Sequence, residues 1–268
     1  MSGILNIAGI TFKGGLRDRV LIALLVVSVL CFMFAVPSVS SLSMRQVREV
    51  AVSLSLSIVS FVSLVLTIFL GVTLVYRDIE RKLAHAIVSL PVSRESYLLG
   101  KYLGLLGIVG VGIVVLSLFS AAGITIASAI HRSPQPMLWE NFIAAVLFEY
   151  LGLAVVAALA VLFSSFATTI FLPLFATIGL YIVGSVTQAV MEYLQSSYGK
   201  TLPAASIAVS KVVYYVLPNL AAFDIKFQAI YSIPVSAATI MTTFSYAFLY
   251  VTVVLGFSVL IFRRRELT

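Results

Sequence analysis

The stretch VLIALLVVSVLCFMFAVPSV, residues 20–39, contains no charged side chain. A helix of about 20 apolar residues is long enough to cross the hydrocarbon core of a bilayer. The apolar residues do not alternate with polar ones, as they would in a strand of a membrane barrel. In lipid, every backbone polar group must be hydrogen-bonded within the protein, and a helix achieves this within one segment. The stretch therefore predicts a membrane-spanning helix.

The composition of the whole chain indicates several such helices. Of the 268 residues, 61% are hydrophobic and 10% are charged, and the mean hydropathy is +1.14. Soluble domains carry about 25% charged residues, so this composition cannot supply the polar surface that a soluble fold needs. We predict an all-α integral membrane protein with six transmembrane helices in one domain, residues 1–268. After residues 20–39, the predicted spans cover approximately 52–76, 100–130, 141–163, 170–191 and 240–262. The fourth and fifth are separated at Ser164-Ser165, because one helix cannot use the whole apolar run.

Lysine and arginine residues indicate the orientation of the spans. The net charge is +7, and the basic residues flank apolar runs, which favours membrane anchoring over binding of nucleic acid. Basic residues are most frequent in the segments that would share one side with both termini, so we expect both termini in the cytoplasm. These segments contain Lys13, Arg17, Arg19, Arg77, Arg81, Lys82, Arg94, Lys101 and Arg263–Arg265.

Cysteine and histidine are too scarce for a metal or catalytic site. Cys31 is the single cysteine, and the two histidines, His85 and His131, have no metal-ligand partner at helical spacing. We therefore predict no metal, no cofactor and no enzymatic activity for the chain by itself.

Two segments outside the spans are also apolar. Residues 1–19 have apolar side chains at helical spacing and basic residues mostly off that stripe, which predicts an interfacial helix. Residues 196–239 contain Ala204–Leu217, which is too short to span the membrane and is stopped by Pro218-Asn219. We expect this segment to re-enter the membrane or to lie on its outer face; a plain surface loop is the alternative.

The charged segment between the second and third spans is the most informative. It reads YRDIERKLAHAIVSLPVSRESYLLGKYLG over residues 76–104. Apolar residues recur on one helical face, while Asp78, Arg81, Lys82 and His85 lie on the other. Pro91 should end this helix, and Ser93 then reads as the N-cap of the next, with Ser96 at its third position. The helix would lie on lipid headgroups or dock a soluble cytoplasmic partner.

This segment resembles the permease subunits of type-2 ABC exporters. An acidic residue after the second span, then an amphipathic helix, L-P-V-S-R and a G-K pair entering the third span form the shared pattern. The matching residues are Glu80, Leu90, Pro91, Ser93, Arg94, Gly100 and Lys101. Family members often have Gly-Thr shortly after the glutamate, where this chain has Arg81-Lys82-Leu83, so the subfamily is open.

The resemblance implies a function and a set of partners. Residues 77–94 would be the coupling helix that contacts an ATPase subunit, with Glu80 and Arg81 as its main polar contacts. The residues assigned to this coupling are Asp78, Glu80, Arg81, Lys82, His85 and Arg94. The permease would act in the bacterial inner membrane as a dimer with two ATPase subunits. The ATPase subunits would bind ATP and Mg²⁺, and periplasmic or accessory subunits could join the complex. Segment 196–239 would form short re-entrant helices that line the exit of the translocation path.

Glu149 is the acidic residue deepest inside a predicted span. A carboxylate in lipid is costly, so Glu149 should face the bundle interior. Either Glu149 belongs to a translocation path with Asn219 and Phe223, or its carboxyl group is hydrogen-bonded between helices or protonated.

Four glycines recur along the start of the third span: Gly100, Gly104, Gly107 and Gly110. This row predicts close packing of helices within one subunit or across a dimer.

Two other functions compete with the exporter. One is a secondary transporter or channel with Glu149 as its ion-linked group, and the other is a membrane scaffold that transports nothing. The substrate of an exporter is left open among drugs, lipids, peptides, glycans and a maturation factor for an extracytoplasmic metalloenzyme.

Overall fold

The computed structural model describes residues 2–42, 46–80, 93–130, 138–196 and 203–264. These residues form helices and connecting turns, without a β-strand. Six helices are long and apolar enough to cross a membrane, which confirms the predicted all-α membrane fold. We number them as spans 1–6: Arg19–Ser41, Val47–Glu80, Arg94–Ile130, Trp139–Phe166, Phe171–Gln195 and Ala237–Arg264.

Span 1 changes its helical pitch in the middle. Residues Cys31–Ala35 form a π-helical turn between two α-helical parts, and Pro37 follows two residues later. Proline lacks a backbone donor and clashes with the carbonyl four residues earlier, so a locally widened turn accommodates it. Gly123 of span 3 faces this turn: a Cβ built on it would lie 2.6 Å from the Phe32 carbonyl oxygen.

Several helices extend beyond their predicted limits. Arg48 and Glu49, predicted in a polar connection, lie in the first turn of span 2, where their side chains form an ion pair of 3.0 Å. Span 3 begins at Arg94 instead of Gly100, because Ser93 caps it as predicted: the Ser93 hydroxyl accepts the Ser96 amide at 3.2 Å. Hydropathy marks only the apolar part of a helix, whereas capping decides where the helix starts.

Span 4 also ends later than predicted. The helix continues through Ser164 and Ser165 to Phe166. The two serine hydroxyls donate to the carbonyl oxygens of Ala160 and Leu162, so their polar groups are satisfied inside the helix.

The N-terminal helix, Ser2–Gly15, lies along the first turns of span 3. A Cβ built on Gly100 would lie 2.7 Å from the Ile7 Cβ, and one on Gly104 would lie 2.6 Å from the Thr11 Cβ. Gly107 faces Phe12 in the same way. The glycine row thus serves packing within one subunit, and only glycine permits this approach of two helices.

Segment 196–239 enters the bundle beside span 4. It contains the helix Ala204–Val216, which ends before Pro218 as predicted, followed after a bend of 50° by the turn Leu220–Phe223 and the short helix Lys226–Ile230. The Asn141 side-chain amide donates to the carbonyl oxygens of Gln228 and Ile233 at the start of span 4.

The deepest part of this segment reaches the middle of span 4. A Cβ on Gly152 would lie 3.1 Å from the Phe223 Cβ. Gly152 lies eleven residues after Asn141, which is about 16 Å along a helix. The turn at Phe223 therefore packs near the middle of span 4, which extends from Trp139 to Phe166.

The start of span 3 and the end of span 6 lie together. The Arg94 guanidinium donates to the Arg263 carbonyl oxygen at 3.0 Å, and the Arg263 side chain lies 3.3 Å from the Glu95 carboxylate. The rings of Tyr97 and Phe262 stack at 5.9 Å between centroids. The N-terminal helix, the end of segment 77–94 and the end of span 6 thus share one side of the bundle.

Candidate functional site

Glu149 lies near the middle of span 4 and faces span 2. It follows Trp139, the first residue of the helix, by ten positions, which is about 15 Å. The Ser60 hydroxyl donates to its Oε2 at 2.7 Å. In the described part of the chain this is the one hydrogen bond that the carboxylate receives. The predicted orientation toward the bundle interior is thus observed.

A cavity of about 140 Å³ adjoins Glu149 on the side of span 5. Its polar lining combines Tyr181 and Ser185 of span 5 with Asp224 and Lys226 of segment 196–239. Phe223 and small or aliphatic side chains complete the wall. The polar groups of three separate elements therefore converge on one small space inside an apolar bundle.

Asp224 and Lys226 form a pair at this cavity. The Lys226 ammonium lies 3.9 Å from the Asp224 carboxylate, and the Lys226 amide donates to the same side chain at 3.2 Å. Asp224 is 57% exposed in the single chain, although its neighbour Phe223 lies at mid-depth against Gly152. A half-exposed carboxylate at this depth is costly in lipid, so the surface beside Asp224 must face water or protein.

Phe223 is buried and closes one wall of the cavity. Its ring lies 6.0 Å from the ring of Tyr246 in span 6, and its Cβ packs on Gly152. Of the three residues predicted to line a path, the structure thus brings Glu149 and Phe223 together.

Asn219 belongs to a different cluster. Its side-chain amide donates to the side-chain Oε1 of Gln188 at 3.0 Å, and its backbone amide donates to the Tyr246 hydroxyl at 2.8 Å. Tyr214 donates to the same Gln188 oxygen at 3.4 Å. These bonds join the bend of segment 196–239 to spans 5 and 6.

The predicted coupling residues are described only in part. Asp78 and Glu80 lie in the last described turn of span 2, and Arg81, Lys82 and His85 lie outside the described residues. Arg94 is the first residue of span 3 and contacts the end of span 6. The assignment of these residues to ATPase coupling stays a prediction.

Sequence reasoning missed the partners of Glu149. Asp224 and Lys226 are the only charged residues in the apolar stretch 212–262. This pattern could have indicated that they lie near the buried Glu149. Ser60 gave no signal, because span 2 carries serines on several faces. Among the described residues, no group of three histidine, cysteine or acidic side chains could hold a metal ion.

The sequence comparisons identify the family. A comparison with curated proteins finds no significant match. The sequence profile described as "ABC-2 family transporter protein" matches residues 5–267, which is nearly the whole chain and includes all six spans. Members of this family are membrane-spanning permease components that work with an ATPase subunit. The chain therefore belongs to the ABC-2 transporter family and is a multi-pass permease subunit of an ABC transporter.

Proposed function

We propose that this chain exports a solute across the bacterial inner membrane as one half of a permease dimer driven by two ATPase subunits. The observation that supports this most strongly is the family match over residues 5–267. We place both termini and segment 77–94 in the cytoplasm, because basic residues concentrate in these parts. ATP and Mg²⁺ would be bound by the ATPase subunits.

Segment 77–94 is proposed to receive the force from the ATPase. Its first residues belong to span 2, which is helical to Glu80, and its last residue, Arg94, begins span 3, so a displacement of the segment would move both helices. Arg94 and Glu95 contact Arg263, which would extend the displacement to span 6.

The coupling proposal is tested with the intact complex in nanodiscs. We expect Glu80→Gln combined with Arg81→Gln to reduce permease-dependent ATP hydrolysis at least about tenfold, because the main polar contacts with the ATPase would be lost. Lys211→Gln, in the exposed helix Ala204–Val216, also removes a charge and serves as the control. Unchanged hydrolysis in the double variant, with normal folding and assembly, would exclude this coupling role.

The exit path is proposed to pass the Glu149 cavity and the Asn219 cluster. The support is that Glu149 and Phe223 share one cavity, while Asn219 joins the bend of segment 196–239 to spans 5 and 6. Both sites are polar and lie within an otherwise apolar bundle.

A secondary transporter that uses Glu149 is the alternative with a structural observation behind it. The carboxylate lies at mid-depth in a polar cavity, as an ion-linked group would. Uptake of the solute into inverted vesicles, measured with and without ATP, separates the exporter, the secondary transporter and the scaffold. ATP-dependent uptake supports the exporter, ion-gradient-dependent uptake without ATP supports the secondary transporter, and absence of uptake by an assembled complex supports a scaffold.

A further inference from the structure

The cavity beside Glu149 contains more negative than positive groups. The charged residues on its wall, within the described part of the chain, are Glu149, Asp224 and Lys226. Lys226 is already paired with Asp224 through both its ammonium and its backbone amide. Glu149 receives only the neutral Ser60 hydroxyl. If both acids are ionised, the three side chains carry one net negative charge at mid-depth, where a net charge is unfavourable.

The space beside this charge has the size of a small organic group. Its volume is about 140 Å³, and an enclosed protein cavity of about 150 Å³ is large enough for benzene. A second void on the other side of Glu149, about 10 Å³, has room for at most one water molecule.

The wall fits an organic cation better than a metal ion. Metal ions in proteins are held by several carboxylate, carbonyl or imidazole ligands, and no cluster of three histidine, cysteine or acidic residues is present among the described residues. The wall instead offers the Glu149 carboxyl group, the Tyr181 side chain and the Phe223 ring. Aromatic ring faces attract ammonium groups within about 6 Å.

We propose that this cavity binds the primary ammonium group of the transported solute, with Glu149 as its counter-ion. The inference rests on the proposed transport function and names the chemical class of the substrate. Asp224, exposed at the cavity wall and held by Lys226, would attract the cation without retaining it. Glu149 would hold the cation at mid-depth, where the surrounding protein weakens the screening of its charge.

Equilibrium binding of radiolabelled ethylammonium to the full chain in nanodiscs tests this proposal. The nanodiscs contain phosphatidylcholine and phosphatidylglycerol, which carry no primary ammonium group. We expect saturable binding that unlabelled ethylammonium displaces, and that ethanol, acetate and sodium ions at the same concentration do not. Absence of saturable binding, or equal displacement by ethanol or sodium, would overturn the proposal.

Variants of two glutamates in the same helix assign the binding to the cavity. Glu149→Gln should weaken binding at least about tenfold, since the carboxylate proposed to hold the cation is lost. Glu140→Gln removes an exposed charge from the first turn of span 4 and should leave binding unchanged. If Glu149→Gln does not fold, Val156→Phe fills the cavity without altering its charges and should also abolish binding. Full binding by a folded variant at either cavity position would contradict the proposal.

The source of the ammonium group can be distinguished by repeating the assay with phosphatidylethanolamine in the nanodiscs. Displacement of ethylammonium would assign the cavity to a lipid ammonium, and unchanged binding would assign it to a water-soluble one; both support recognition of a primary ammonium. Failure of this inference differs from failure of the proposed function. ATP-driven export with no ethylammonium binding refutes only the cavity assignment, whereas ethylammonium binding without ATP-driven export refutes only the exporter.

Discussion

At the scale of single residues, the hydrogen bond from Ser60 to Glu149 joins spans 2 and 4. In membrane proteins such interhelical bonds contribute about 0.6 kcal/mol on average and up to about 1.7 kcal/mol, and bonds to charged groups are among the stronger ones. The described part of the chain offers the carboxylate no second donor. Loss of the Ser60 hydroxyl therefore leaves the buried Glu149 without a hydrogen-bond donor.

Ser60→Ala should therefore lower the free energy of unfolding by about 1 kcal/mol or more. The measurement is thermal unfolding of the purified chain in detergent. Ser57→Ala, on the exposed face of the same helix, is the matched control and should cause little change. Equal effects of the two substitutions would show that the bond to Glu149 does not contribute to stability.

At the scale of helices, the contact between the N-terminal helix and span 3 depends on glycines, which have no side chain to separate the two helices. The Cβ of an alanine at position 104 would lie 2.6 Å from the Thr11 Cβ and 2.9 Å from the Ala8 carbonyl oxygen. Both are well inside van der Waals contact, and the second neighbour is backbone, which cannot rotate away.

Gly104→Ala should destabilise the protein by about 1–3 kcal/mol, the usual cost of an overpacked contact. Gly110→Ala on the same helix is the control, because its Cβ would lie 3.5 Å from the Tyr150 ring, an ordinary contact. Since alanine favours helices over glycine by about 1 kcal/mol, this control should be neutral or stabilising. Thermal unfolding of the two variants measures the difference, and a stable Gly104→Ala variant would show that the N-terminal helix is not closely packed there.

The helices illustrate what the sequence can predict. The six spans followed from apolar run lengths, because lipid forces backbone hydrogen bonds into local helices. The cap at Ser93 followed from local spacing, but the continuation of span 2 past Tyr76 and of span 4 to Phe166 did not, since hydropathy does not register polar residues that continue a helix. The partners of Glu149 could not be predicted either: Ser60 and Asp224 are distant in sequence, and only tertiary packing brings them to the same carboxylate.

At the scale of the whole molecule, one side of the bundle collects the parts that the proposed mechanism places in the cytoplasm. The N-terminal helix packs on the start of span 3, and Arg94 and Glu95 contact Arg263 at the end of span 6. A displacement at residues 77–94 would thus reach spans 2, 3 and 6. The candidate cavity lies farther from these contacts, at mid-depth between spans 4 and 5 and segment 196–239.

The orientation of this arrangement can be measured with single cysteines. Cys31 is the one native cysteine, so Cys31→Ser gives a background without thiols. We expect His85→Cys and Thr268→Cys to react with a membrane-impermeant maleimide in inverted vesicles, and Ser133→Cys to react in right-side-out vesicles, because basic residues favour the cytoplasmic side. The Cys31→Ser parent is the control and should not be labelled. Labelling of residues 85 and 133 from the same side would contradict a single crossing by span 3, and the reversed pattern would place the proposed ATPase contact on the wrong side of the membrane.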